Sequence, residues 1–435
     1  MSVPAVDNTV SSGNASVAIP ADMSGQMLDL DEDDDLEVFS KDTTITDGSS
    51  FNASMQTSPA SMINQYKFEE EEEDVGTKDI FVTVDNPESH VTAIETYITY
   101  RVMTKTTRSE FDSSEFEVRR RYQDFLWLKG RLEEAHPTLI VHPLPEKFVM
   151  KGMVERFNED FIETRRRALH RFLNRIAEHP IFSSTEDFKI FLTAASEELI
   201  SHKKQGPGFL SRMGETVKAV AASVRGVRNR PEEFNDMQEY VEAFSQKINS
   251  LDKVTQRIIR EQREYLEELK ECGPTYTLWS NSEQELAEPL KNMADCLDRC
   301  YKETDEQVKQ LNDQLSPALH EYVLCTETLK AVIRRRDNIQ ADFEAKTEAL
   351  ATKKADREAM KDDLEKLEDR LEWANNALKS DWTRWNKVMR TDLRSAFVDT
   401  AERNVSYYEK CLAIWESFLH SQRTDAEANG KADFS

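Results

Sequence analysis

From Asp79 onward the apolar positions follow three successive rhythms. The runs IFVTV (residues 80–84), TYITYRVMTKT (96–106) and FEVRRRYQDF (116–125) are β-branched and aromatic and are separated by the turn-like NPES and SEFDSS. They predict a three-stranded antiparallel meander. Phe125, Leu128 and Leu132 then recur at helical spacing and predict a helix over 125–135, which the prolines of HPTLIVHPLPEK end. Phe161, Leu169, Phe172 and Ile176 give a further helix its apolar face, and Phe188, Phe191 and Leu192 a short last one.

The second rhythm occupies KKQGPGFLSRMGETVKAVAASVRGVRNR (203–230), where Phe209, Met213, Val217, Val220, Val224 and Val227 return every three or four residues. One narrow apolar stripe results, with Arg212, Lys218, Arg225 and Arg228 opposite it. Such a helix suits a lipid interface; docking on the following domain is the other open reading.

Past Pro231 the seams lengthen. Met237, Val241, Ile248 and Leu269 mark a first long helix, which Cys272-Gly273-Pro274 should end. A second runs from about Trp279 to Leu350 and a third from Met360 to Leu419. Three antiparallel helices with exposed seams predict an elongated dimer. Pro317 should bend the second helix, whereas Pro289 either bends it or occupies its first turn.

Composition sharpens this division. The 435 residues are 38% apolar and 32% charged, a charge-heavy balance that suggests two to four domains. No apolar run is long enough to cross a bilayer, and MSVPAVDNTV has no signal-peptide pattern. Five cysteines between residues 272 and 411 lack metal or redox spacing and read as reduced core thiols of a cytosolic chain. Residues 1–78 hold 17 acids and 3 bases, more than half of the net charge of −25, and are expected to form a disordered acidic tail. Residues 202–230 hold seven bases and one acid. The net charge of −25 argues against nucleic acid as the partner of the whole chain, while this basic stretch can still meet an anionic surface locally. Arg334, Arg335, Arg336, Lys346, Lys353 and Lys354 form a second basic group, expected at the tip where the second and third long helices meet.

The sequence RRRYQDFLWLKGRLEE, followed by PLPEK, FIETRRRALHRFL and EHPIF, resembles the phox-homology (PX) domain of sorting nexins. With the basic stretch and three long helices behind it, the chain resembles the PX-BAR sorting nexins, closest in wording to the subgroup of sorting nexins four, seven and thirty. The implied fold is an α+β PX domain over 79–198, a basic amphipathic linker at 203–230 and an all-α three-helix BAR domain over 231–425, with a disordered end at 426–435. The resemblance implies a site for phosphatidylinositol 3-phosphate. Arg121 matches the arginine that grips the 3-phosphate, Tyr122 the ring beneath the inositol, Lys147 the contact to the 1-phosphate, and Arg165 the arginine that reads the 4- and 5-hydroxyls. The residue types suit that task, because a guanidinium fork fits a phosphomonoester and an aromatic ring covers the C–H face of an inositol. Val149 and Met150, in an apolar loop after Lys147, and Phe209, Met213 and Val217 are the candidate insertion residues. His142 stands where a second proline often precedes PLPEK.

The resemblance further implies a homodimer, or a heterodimer with a related PX-BAR sorting nexin. It places the protein on the cytosolic face of early and recycling endosomes, in sorting and with a role in autophagy. No cofactor or metal is implied. No catalytic residues emerge either, since HExxH, GxSxG and GxxxxGK[ST] are absent and His202 and Lys204 lack the Asp that would complete HxKxxxxD. The alternative function is a coiled-coil adaptor whose PX module docks protein rather than lipid.

Overall fold

The structure is a computed structural model; it describes residues 78–91, 96–146, 159–205, 227–352 and 357–432. The sheet has the order β1 (Ile80–Val91), β2 (Thr96–Thr106), β3 (Glu115–Arg121). β2 and β3 are antiparallel, with Val102 opposite Val118. In β1 alternate side chains Ile80, Val82 and Val84 are buried, the period of a strand with one covered face. NPES does not end β1. Asn86 takes a φ of 42°, a left-handed conformation that asparagine tolerates, so the strand bends and continues. The far end of the hairpin carries its own stack, His90 on Tyr97 with centroids 5.1 Å apart.

Four helices follow: α1 (Tyr122–Ala135), α2 (Glu159–Ala177), α3 (Glu186–Thr193) and α4 (Ser196–Gln205), with a 3-10 turn at Phe182–Ser184. Phe125, Leu128, Leu132, Phe172, Leu173, Phe188 and Phe191 pack with the β1 residues into one core. α4 crosses the boundaries expected at 198 and 203, because Leu199 is buried and fixes the helix to the module.

The helical region comprises α5 (Glu232–Ser280), α6 (Ala287–Gln310), a π-helical turn (Leu311–Leu315), α7 (Ser316–Thr352) and α8 (Arg357–Ala432). Phe234, Val241, Leu319, Tyr322, Leu329, Leu378 and Trp385 form its main core, joined by Ile140 from the loop after α1. The stop expected at Cys272-Gly273-Pro274 does not occur, and α5 passes through Pro274. Gly273 faces α6, where an added Cβ would meet the end of the exposed Asp298 side chain, which can turn aside. The break falls instead at residues 281–286, which leaves Pro289 in the first turn of α6, where its missing N–H costs no helical bond.

Pro317 does disturb its helix, as a π-helical turn just before it. Proline cannot donate to the carbonyl four residues back, that of Asp313. That oxygen accepts from Arg167 of α2 at 3.1 Å. The distortion and its compensation thus come from two distant parts of the chain.

The thiols of Cys296, Cys300 and Cys325 are buried and unbridged, and burial pushes the Cys300 thiol up to about 11. The acidic tail, the insertion candidates Val149, Met150, Phe209, Met213 and Val217, and the basic Lys353 and Lys354 lie outside the described residues.

Candidate functional site

The run Arg119–Arg120–Arg121 is divided three ways by the strand period. Arg119 lies on the sheet surface, 3.0 Å from Glu88, and donates to Thr99 Oγ1 at 2.9 Å. Arg120 points to the opposite face and is 1% exposed, donating to the carbonyls of Phe191 at 2.9 Å and Ala194 at 2.5 Å. Burial lowers its pKa to about 10, so it stays charged at neutral pH and ties α3 to the sheet. Arg120→Met should leave two buried carbonyls without a donor and lower stability by about 2–4 kcal/mol in chemical denaturation. Arg119→Ala should cost under about 1 kcal/mol, as a partly exposed pair.

Arg121 ends β3 and begins α1. Its backbone N–H donates to Asp124 Oδ2 at 2.7 Å, an acidic cap on the first turn of the helix. Tyr122 follows, and its hydroxyl donates to the Pro145 carbonyl in PLPEK. Burial pushes that phenol up to about 12, Arg165 pulling the other way, so it remains a donor. Arg165 on α2 lays its guanidinium 4.2 Å from the centre of the Tyr122 ring and 4.5 Å from that of Phe161. It also donates to the Glu146 carbonyl at 3.3 Å. One place therefore gathers Tyr122, Arg165 and the PLPEK backbone, with Arg121 adjoining in sequence. Lys147, next after Glu146, lies outside the described residues.

The other arginines of FIETRRRALHRFL face elsewhere. Arg166 binds Glu163 through two bonds of 2.8 Å and the Val84 carbonyl at 2.7 Å. Their pull, against the opposing effect of burial, holds the Glu163 carboxyl at about 2. Arg167, Arg171 and Arg175 form a stripe that meets the long helices. Arg171 donates to Glu321 at 2.5 Å, and Arg175 pairs with Asp392. His142 stands 3.4 Å from Glu321, so the residue that replaces a proline makes a contact instead. Asp381 of α8 is the hub of a second contact, accepting from Ile140 N at 2.5 Å, lying 3.1 Å from His179 Nε2 and pairing with Arg384.

The three arginines of the basic group expected at the tip do not lie together on one exposed face of α7. Arg336 is fully buried, 3.9 Å from the Phe234 ring, and donates to Asn375 at 2.7 Å and Asp337 at 3.0 Å. Arg335 lies 3.5 Å from Glu133 of α1. Only Arg334 of the three is exposed. They also sit roughly 25 Å along the helix from its end at Thr352, at 1.5 Å per residue. Near that end Lys346 pairs with Asp363 at 3.0 Å. The end of the linker meets α7 too, with the backbone N–H groups of Arg228 and Asn229 on Glu344 at 3.1 and 3.2 Å.

Family models match in two places, PX domain at residues 108–195 and Vps5 C terminal like at 210–390. Mouse sorting nexin-7 is 63% identical over 86% of this chain and 96% of its own length, and sorting nexin-30 of Xenopus tropicalis is 46% identical over 90% and 87%. The chain belongs to the sorting nexins. Its fold is also that of the SNX-BAR Mvp1 tetramer solved by cryo-EM, at a TM-score of 0.52 and 16% identity over 78% of this chain and 99% of that one. This sorting nexin therefore combines an α+β PX domain with an all-α BAR domain, and the arginine stripe of α2 is a contact between them. None of its described helices is long and apolar enough to cross a membrane.

Proposed function

We propose that this sorting nexin is a non-enzymatic peripheral membrane protein that binds phosphatidylinositol 3-phosphate through Arg121, Tyr122, Lys147 and Arg165. It acts as a BAR dimer on the cytosolic face of early and recycling endosomes, in sorting and in autophagy. The observation that supports this most is the Arg165 guanidinium held on the Tyr122 ring while both are tied to Pro145 and Glu146. A cation is thereby fixed beside an aromatic face at low entropic cost, the arrangement that a polyhydroxylated ring bearing phosphates needs. Flotation of the full chain with vesicles that differ only in phosphoinositide tests the reading. Preferential recovery with phosphatidylinositol 3-phosphate is expected, and equal recovery with phosphatidylinositol alone would overturn it.

Dimerisation is supported by large apolar side chains left in water on α5 and α8, among them Tyr265 at 57%, Tyr408 at 66% and Leu412 at 59% exposure. Large apolar side chains left exposed along long helices suit burial against another chain. A second copy or a related PX-BAR chain covers them. Replacing Tyr408 and Leu412 together with Glu should remove about 1.5–3 kcal/mol of burial per side chain and copy. Light scattering should then read half the mass of the unsubstituted protein; an unchanged mass would place the interface elsewhere.

A further inference from the structure

The apolar side chains left in water on α8 are not scattered. Ala401, Val405, Tyr408, Leu412, Trp415 and Leu419 recur in steps of four, three, four, three and four, and all six are exposed. That is the heptad spacing of a seam that packs against a helix of another chain. A glutamate follows every second seam position. Glu402, Glu409 and Glu416 thus stand seven residues apart along one border of the seam, all three exposed. Among the described residues no cation pairs with them, and the adjacent Lys410 is committed to Glu303 of α6 at 2.9 Å. Arg423 continues the row beyond them.

Border positions of this kind meet the facing helix and decide which chain fits there, because opposite charges add to the pairing and like charges subtract from it. α5, the other helix with exposed apolar residues, is acidic in the same way. Glu261 and Glu268 occupy the heptad spacing set by Val254, Ile258 and Tyr265, and the bordering row Arg257, Glu264, Glu271 is acidic at two of its three positions. A second copy therefore brings carboxylates to the Glu402 row whether its α8 or its α5 lies there. Arg423 and Arg257 offset only part of that repulsion.

We propose that Glu402, Glu409 and Glu416 select the dimerisation partner: they weaken pairing with a second copy, without abolishing it, and favour a chain of the same long-helix build whose facing border is basic. The role presupposes the dimer proposed above and adds to it which of the two occupants the seam prefers. The apolar seam supplies the buried area, and the glutamates supply the discrimination.

A variant of the full chain with Glu402→Lys, Glu409→Lys and Glu416→Lys stands in for such a partner. All three sites are exposed, so the fold is kept. Fluorescently labelled unsubstituted chain is titrated with either the unsubstituted chain or this variant, and association is followed by analytical ultracentrifugation. At low salt the variant should bind about tenfold more tightly than the second copy, because a row of exposed like-charge contacts becomes attractive. In about 0.5 M salt, where charges are screened within a few Å, the two affinities should converge. The corresponding triple glutamine variant should fall between them at low salt, which separates charge from the added length of lysine. Equal low-salt affinities for the unsubstituted chain and the lysine variant would overturn the proposal, as would a difference that high salt leaves intact. No association with either titrant at any salt would show instead that the dimer reading itself has failed.

Discussion

Arg121→Gln is expected to weaken binding to vesicles carrying phosphatidylinositol 3-phosphate by about 10- to 100-fold, the loss of a charge-assisted contact in a partly desolvated site. The substitution keeps the backbone N–H that Asp124 accepts, so the start of α1 should stay capped. Melting temperature should therefore change little. The neighbouring arginines supply an internal contrast. Arg120→Met should lower stability because its guanidinium is spent on two buried carbonyls, and Arg119→Ala should do little to either property. Three adjacent arginines thus separate binding, folding and neither. A folded Arg121→Gln protein that floats as well as the unsubstituted one would remove Arg121 from the site, and with it the main chemical reason for a 3-phosphate preference.

The PX domain was the more legible part of the sequence, because strand alternation is a local property. Ile80, Val82 and Val84 show it directly, and Phe125, Leu128 and Leu132 show the helical counterpart. What misled was punctuation. NPES looked like a turn, yet one residue with positive φ sufficed to bend β1 without ending it. Gly273-Pro274 looked like a helix stop, yet α5 runs on through both residues, packed against α6. The first is a local backbone conformation, and only in the second does a packed long helix override local propensity.

The basic runs were the least legible, for a related reason. Charge in a sequence does not say which face it occupies or what opposes it. Arg334–Arg336 looked like one basic cluster, but consecutive helical positions point in different directions, toward solvent, toward Glu133 and into the core beneath Phe234. The stripe Arg167, Arg171, Arg175 was readable as one face of α2 from its spacing of four. Its partners Asp313, Glu321 and Asp392 lie more than a hundred residues away, so nothing local identified it as a domain contact.

Asp381→Ala is the substitution expected to damage the protein most outside the headgroup site. The carboxylate is 2% exposed and serves three groups at once: the Ile140 N–H, His179 and Arg384. Removing it leaves a buried donor and a partly buried guanidinium without their acceptor, and breaking such a cluster typically costs about 3–5 kcal/mol. Limited proteolysis should open first in the loop around Ile140, and the PX domain should loosen from the BAR helices in small-angle scattering. Acid should weaken the same contact. His179 Nδ1 accepts the N–H groups of Ile181 and Phe182, both at 3.1 Å, while its Nε2 lies 3.1 Å from Asp381 and 2.7 Å from Arg384. Burial first, then Arg384, His136 and His142, lower its pKa from 6.5 to about 3. The unfolded chain therefore binds more protons than the folded one between those values, and stability falls as pH drops from 6.5 toward 3. Glu321 extends the trend to lower pH. Burial raises its pKa, but His142, Arg171 and Arg175 outweigh that and hold it at about 2, below the ordinary 4.5. His179→Gln should flatten the upper part of this profile, because the replacement does not titrate. An unchanged slope between pH 6.5 and 4.5 in that variant would show that the acid sensitivity arises elsewhere.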